Sequence, residues 1–236
     1  MWTQRGRPVN DSLARDRVVV VGAGMGGLAA ALDLAARGTE VVLCEAAPRP
    51  GGKARRVDVG GRPVSAGPTV FTMRGVFEAL FAAAGARMED HLRLTPAETV
   101  ARHAWADGSR LDLFSDPARS EAAIAAFAGG DEAARFRAFS ARAARLMRAL
   151  SPTFIEAQKP GPLSVARAVG PNLRLLADMA PGFSLWRALG RDLRDARLRQ
   201  LFARYATYVG GSPFLSPALL MLIWHVEAAG VWMVEG

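Results

Sequence analysis

The residues with the clearest chemical meaning in this 236-residue chain are Gly22-Ala23-Gly24-Met25-Gly26-Gly27, spaced as G-x-G-x-x-G. Gly22 permits a tight turn, Gly24 lets a pyrophosphate approach the main chain, and Gly27 allows close packing of a helix on the preceding strand. The helix beyond would offer the anion unpaired N–H groups and a positive dipole end. Glu45 follows 18 residues after Gly27. A carboxylate there can accept from ribose hydroxyls, and its charge disfavours a 2′-phosphate. This set points to a dinucleotide other than NADP and leaves NAD and FAD both open.

Such a turn works only between a strand and a helix. Val18 to Val21 is β-branched throughout, while Ala and Leu dominate up to Ala36, so strand, turn and helix follow one another. Gly38 has the place of a helix C′ residue, and Glu40–Glu45 reads as a second short buried strand that makes Cys44 a core residue. Gly22, Gly24, Gly26, Gly27 and Asp33 interrupt the apolar stretch and argue against a membrane span. Residues 1–16 are polar, without the apolar region of a secretory signal, and read as a flexible tail.

Further along, Ala46 to Thr72 is rich in Gly and Pro and predicts loops with short strands. A short helix is expected at Val76–Ala84, and a hairpin at Val100–Trp105 and Arg110–Phe114 around Asp107-Gly108. Helical patterning then covers Arg119–Leu150, broken near Gly129-Gly130, and returns at Leu163–Met179, Ser184–Arg194, Arg197–Val209 and Pro217–Ala229.

Composition excludes several classes. Half the residues are apolar and only one is cysteine, so a disordered chain and a disulfide-built fold are both ruled out. His91, His103 and His225 lack metal-ligand spacing, and no metal site is expected. Formal charge is +8, and the stretch from Arg135 to Arg204 holds 14 Arg or Lys against four acids, 14 − 4 = +10. No helix-turn-helix, RNA-recognition or zinc-finger signature accompanies it, so an anionic membrane surface or plain solvated helix faces account for it better than nucleic acid.

Beyond Glu45 comes Arg49-Pro50-Gly51-Gly52-Lys53-Ala54-Arg55, whose adjacent glycines let the chain pass close to a dinucleotide while Arg49, Lys53 and Arg55 face its phosphates. This resembles the R-x-G-G-[K/R] doublet of FAD proteins related to amine oxidases and carotene desaturases. Gly67-Pro68-Thr69-Val70 is similar to the G-P-T-V segment of the bacterial carotenoid (phytoene) desaturase family, and Val209-Gly210-Gly211-Ser212-Pro213-Phe214 to its V-G-G-[NS]-P-[FY] segment. Ile223-Trp224-His225 and Gly230-Val231-Trp232 match the helix and return strand after it. Arg204-Tyr205-Ala206-Thr207-Tyr208 looks most like the 1-hydroxycarotenoid 3,4-desaturase branch.

The resemblance runs from about Arg17 to Gly236. It implies an α/β fold: a Rossmann-like FAD-binding domain begun by residues 17–75, an inserted, mainly helical substrate and membrane-facing domain at 76–229, and a return to the first domain at 230–236. It also implies a protein about twice this long, so the chain is expected to be an N-terminal half. A catalytically silent, membrane-associated remnant and an amine-oxidase-like flavoenzyme are the alternatives.

The implied reaction desaturates a carotenoid by removing a hydride equivalent and a proton from adjacent carbons. No side chain accepts a hydride, so a flavin must, at N5. FAD would rest on residues 22–27, Glu45, Arg49, Gly51, Gly52, Lys53, Arg55 and Gly67 to Val70; no general base is identified. Phe154, Met179, Phe183, Trp186, Phe202, Tyr205, Tyr208, Phe214, Met221 and Trp224 could line an apolar substrate tunnel, with core filling the default for any one of them. His225, on an apolar helix, reads as a packed structural histidine. A bilayer-dissolved substrate predicts peripheral attachment to the cytoplasmic side of a membrane.

Overall fold

The computed structural model describes residues 17–68, 70–152, 157 and 161–235; the expected tail, Thr69, Phe154 and Gly236 lie outside them. Contacts divide the chain into two units, residues 1–96 with 232–236 and residues 97–231.

In the first unit, β1 (Val18–Val21) runs parallel to β2 (Val41–Cys44), with α1 (Met25–Ala36) as the crossover. β3 (Arg56–Val59) and β4 (Arg62–Ser65) form a hairpin whose turn, Gly60-Gly61, has both residues at positive φ (62° and 80°), the conformation a tight two-residue connection favours. α2 (Arg74–Ala83) packs on α1, and β5 (Leu94–Pro96) pairs antiparallel with β8 (Trp232–Val234), which returns residues 232–234 to the first unit.

The expectation of a buried second strand is corrected. Cys44 is exposed, and Val21 is 85% exposed on the neighbouring strand. Continuous apolar runs suit a parallel sheet covered on both faces, whereas β1 and β2 form a two-stranded sheet that leaves Val19, Val42 and Leu43 in contact with solvent.

The second unit opens with the hairpin β6 (Thr99–Ala104) and β7 (Arg110–Phe114), turning at Gly108 with φ 82°. α3 (Pro117–Ala128) starts with Asp116 accepting from the Ala118 N–H and ends at Gly129, φ 93°, before α4 (Gly130–Leu150). α5 (Pro162–Val169), α6 (Leu173–Met179), α7 (Leu185–Asp192), α8 (Ala196–Ala203) and α9 (Leu222–Ala228) complete it.

Three expected helices are altered. Leu163–Met179 splits at Gly170-Pro171, where φ of Gly170 is 50° and the proline offers no N–H. Arg197–Val209 tightens into a 3-10 turn from Arg204, and Pro217–Ala229 starts as 3-10 at Ala218–Met221.

Packing of α4, α8 and α9 forms the core of this unit. Phe136 meets Phe202 at 5.8 Å and Trp224 at 5.2 Å between ring centroids, and the Trp224 indole N–H donates to Ser140 Oγ. Phe202, Tyr205, Met221 and Trp224, all candidate tunnel residues, are fully buried in this packing and act as core. Met179, Phe183 and Trp186 pack partly against it, while Tyr208 and Phe214 are exposed.

Candidate functional site

Within the first unit the glycine-rich segments converge. Gly22 takes φ 95°, and its N–H donates to the Cys44 carbonyl, closing the turn onto the end of β2. A Cβ on Gly27 would lie 1.9 Å from the Gly22 oxygen, so only glycine permits α1 to sit this close. Gly24 bridges Gly51 as a parallel pair, Gly51 N–H donates to the Ala23 carbonyl, and a Cβ on Gly52 would reach 3.0 Å from Gly24 Cα. Gly67 closes the group from the other side, since its Cβ would lie 1.9 Å from the Lys53 oxygen, while Ala66 N–H donates to Arg55. Residues 22–27, 51–55 and 66–67 thus form one backbone cluster.

Glu45 has an additional role. One carboxylate oxygen accepts from Ala23 N–H at 2.6 Å and the other from Ala47 N–H at 2.8 Å. The Ala47 and Ala23 amides hold its carboxyl below the usual range, which keeps it ionised. Each oxygen retains a lone pair for a ribose hydroxyl. Tying the turn to β2 is a function that motif spacing alone did not reveal.

The cluster fits a dinucleotide. Cβ atoms built on Gly22 or Gly26 meet nothing within 4 Å, so both backbones border open space. α1 has Gly24 as its N-cap, with no side-chain cap and no acid in its first turn, leaving its N-terminal N–H groups available. Arg49, Lys53 and Arg55 are exposed and have no acidic partner among the described residues. Met25 is 53% exposed, and Pro68 and Val70 also face solvent; Thr69 is outside the described residues. The carbonyls of Lys53 and Ala54 escaped sequence reasoning because backbone roles are blind to residue type; the only trace was the need for glycine opposite them.

A second polar cluster lies in the other unit. Glu227 is buried on α9 and accepts from Arg204 at 3.0 and 2.5 Å, from Tyr205 Oη at 3.1 Å and from Tyr208 Oη at 2.6 Å. Its available signal was an acid on an otherwise apolar helix. Burial, then Glu227, pushes the Tyr208 phenol up to about 12, and burial lifts Tyr205 well above its ordinary value. These are the only two tyrosines in the chain. A pKa raised on folding contributes stability that is present below the ordinary phenol value near 10 and lost as pH rises through the folded value. Native protein between pH ~10 and ~12 should therefore show much less tyrosinate absorbance than the same protein in denaturant; equal absorbance would refute the burial.

His225 is half-buried, and burial followed by the Arg148 charge lowers its pKa. Among the described residues, six of the 14 basic residues of the stretch form ion pairs. Arg142 pairs with Asp192, Arg145 with Asp178, Arg197 with Asp195, and Arg204 with Glu227. Arg135 and Arg137 use Glu132 and Glu121, acids outside the counted stretch.

The family described as flavin containing amine oxidoreductase matches residues 25–203. A hydroxyneurosporene desaturase of Rubrivivax gelatinosus is 52% identical over 228 residues, covering 96% of this chain and 43% of that protein. A hydroxyneurosporene desaturase of Rhodobacter capsulatus is 50% identical over 92% of this chain and 44% of its own length. The chain therefore spans less than half the length of these relatives. Among solved structures, putrescine oxidase bound to putrescine aligns with a TM-score of 0.56 at 17% identity, over 93% of this chain and 46% of that one, a likeness of fold. With the glycine cluster, the free start of α1 and the match over residues 25–203 all in agreement, the chain belongs to the flavin containing amine oxidoreductase family.

Proposed function

We propose that the protein carrying this chain is an FAD-dependent carotenoid desaturase acting at C-3,4 of a 1-hydroxycarotenoid. The observation that carries this reading is 52% identity over 228 residues to a hydroxyneurosporene desaturase. In this reading residues 17–75 begin the FAD-binding domain and the mainly helical region that follows is inserted as a substrate domain. The oxidase-like fold alone is neutral between amines and hydrocarbons.

Bound FAD would supply a two-electron acceptor for the hydride equivalent released as the new C=C bond forms. This chain's part is binding and orientation. The N–H groups at the start of α1 would hold the pyrophosphate, which Gly22 and Gly24 let approach the main chain, with Arg49, Lys53 and Arg55 adding positive charge. Glu45 fixes the turn and accepts from the ribose. The close contacts of Gly27 and Gly67 set the distance between helix, strand and loop, and so the shape of the cradle. A hydrocarbon substrate implies attachment at an anionic membrane surface on the cytoplasmic side. No described helix is long and apolar enough to cross a membrane, in keeping with a peripheral mode.

Purified protein should show the visible bands of oxidised flavin, and anaerobic mixing with a 1-hydroxycarotenoid in liposomes should bleach them as the polyene absorbance shifts to longer wavelength. Bleaching by putrescine with none by the carotenoid would instead establish an amine oxidase. Absence of flavin even after adding FAD would favour a silent remnant.

A further inference from the structure

The buried polar cluster of the second unit takes its shape from the 3-10 turn at Arg204–Val209. Three residues per turn place positions three apart on one side, so Tyr205 and Tyr208 both reach Glu227 on α9, their ring centroids 6.2 Å apart. Glu227 is 3% exposed, and each of its oxygens accepts two bonds: Oε1 from Arg204 and Tyr208, Oε2 from Arg204 and Tyr205. The carboxylate is thereby filled. Tyr205 is fully buried, whereas Tyr208, at 49%, is the most exposed of the four residues. Its one O–H is spent on Glu227 at 2.6 Å, and a phenol pushed up to about 12 keeps that proton at any ordinary pH. Toward a ligand Tyr208 can therefore only accept, and donating to a carboxylate strengthens its oxygen as an acceptor.

We propose that Tyr208 is a specificity-determining residue that accepts a hydrogen bond from the 1-hydroxyl of the carotenoid, with Glu227, Arg204 and Tyr205 as the positioning residues that fix its phenol. A hydroxyl leaving water for an apolar site is destabilised unless an acceptor awaits it, and a site that supplies one discriminates against an analogue lacking the O–H. Arg204-Tyr205-Ala206-Thr207-Tyr208 is the segment that looks most like the 1-hydroxycarotenoid branch, and three of its five residues build this cluster. The inference rests on the desaturase reading above and names the group by which such an enzyme would choose its substrate.

The test is desaturation, by the flavin-loaded protein that carries this chain, of three carotenoids that differ at C-1 alone: the 1-hydroxy compound, its 1-methoxy ether and the 1-deoxy hydrocarbon. The parent should favour the hydroxy compound in kcat/KM over both others by about tenfold, the order of one hydrogen bond. An ether oxygen cannot donate, so equal values for the hydroxy and methoxy compounds would overturn the proposal before any variant is made. Tyr208→Phe should erase the preference, and its persistence there would overturn the proposal too. Tyr205→Phe takes the same kind of donor from Glu227 at a fully buried position. It should lower the melting temperature and keep the preference; loss of preference in both variants would mark a merely structural role for Tyr208. A protein that desaturates all three carotenoids alike sinks this site and leaves the desaturase reading standing. One that desaturates none of them, or oxidises putrescine instead, sinks that reading and this inference with it.

Discussion

Replacing Gly27 with Ala should strip the protein of flavin and lower its melting temperature. The added methyl would sit 1.9 Å from the carbonyl oxygen of Gly22, far inside contact distance, and the obstacle is backbone rather than a side chain that can swing away. Relief requires α1 to move off β1, at a cost of roughly 1–3 kcal/mol or more. The same movement opens the turn where phosphate oxygens would meet the N–H groups, so stability and cofactor should be lost together. Gly26→Ala is the matched control for stability alone, since its methyl enters the space assigned to the dinucleotide and meets no protein atom. The better helix propensity of Ala should hold or raise stability there, by up to ~1 kcal/mol. Thermal melts compare the two variants, and flavin content per protein reads the Gly27→Ala outcome. A Gly27→Ala protein with normal flavin and melting would show that helix and strand are not in this contact.

Glu227→Ala should have the other large effect, a loss of about 3 kcal/mol, from stranding the partly buried guanidinium of Arg204. Arg204 would lose two hydrogen bonds, and the Tyr205 and Tyr208 hydroxyls would lose their acceptor. Arg204 Nε already lacks a hydrogen-bond partner, so the site has little spare capacity to compensate. The double replacement Arg204→Met with Glu227→Leu should cost less than the sum of the two single changes, because it removes both charges at once. Denaturant unfolding of the singles and the double measures the coupling. Additive losses would mean that Glu227 and Arg204 act independently, contrary to the 2.5 Å contact.

Local pattern and tertiary arrangement contributed differently to these two sites. The dinucleotide turn was readable because its requirements are local: a strand, a tight glycine turn and a helix occur within 20 residues, from Val18 to Arg37. The Asp107-Gly108 hairpin and the Gly129 break followed from the same short-range logic. Cys44 is exposed against expectation because apolar sequence records the environment a strand is suited to, whereas exposure depends on which neighbours are present. The pairing of the basic stretch was not legible from its own composition, since Glu121, Glu132 and Glu227 come from outside it to meet Arg137, Arg135 and Arg204.

The amino-acid sequence by itself determined the glycine-rich strand, turn and helix, because steric demands on glycine and the alternation of strand and helix act between residues close along the chain; the family was legible through the resemblance of its motifs to those of known desaturases. Tertiary structure alone decided that Glu45 ties the turn to β2, that Gly67 meets the carbonyl of Lys53, and that Glu227 gathers both tyrosines around Arg204. Those contacts join residues 14 to 23 positions apart, and which distant groups share a hydrogen bond or a close approach is settled by packing, not by local spacing.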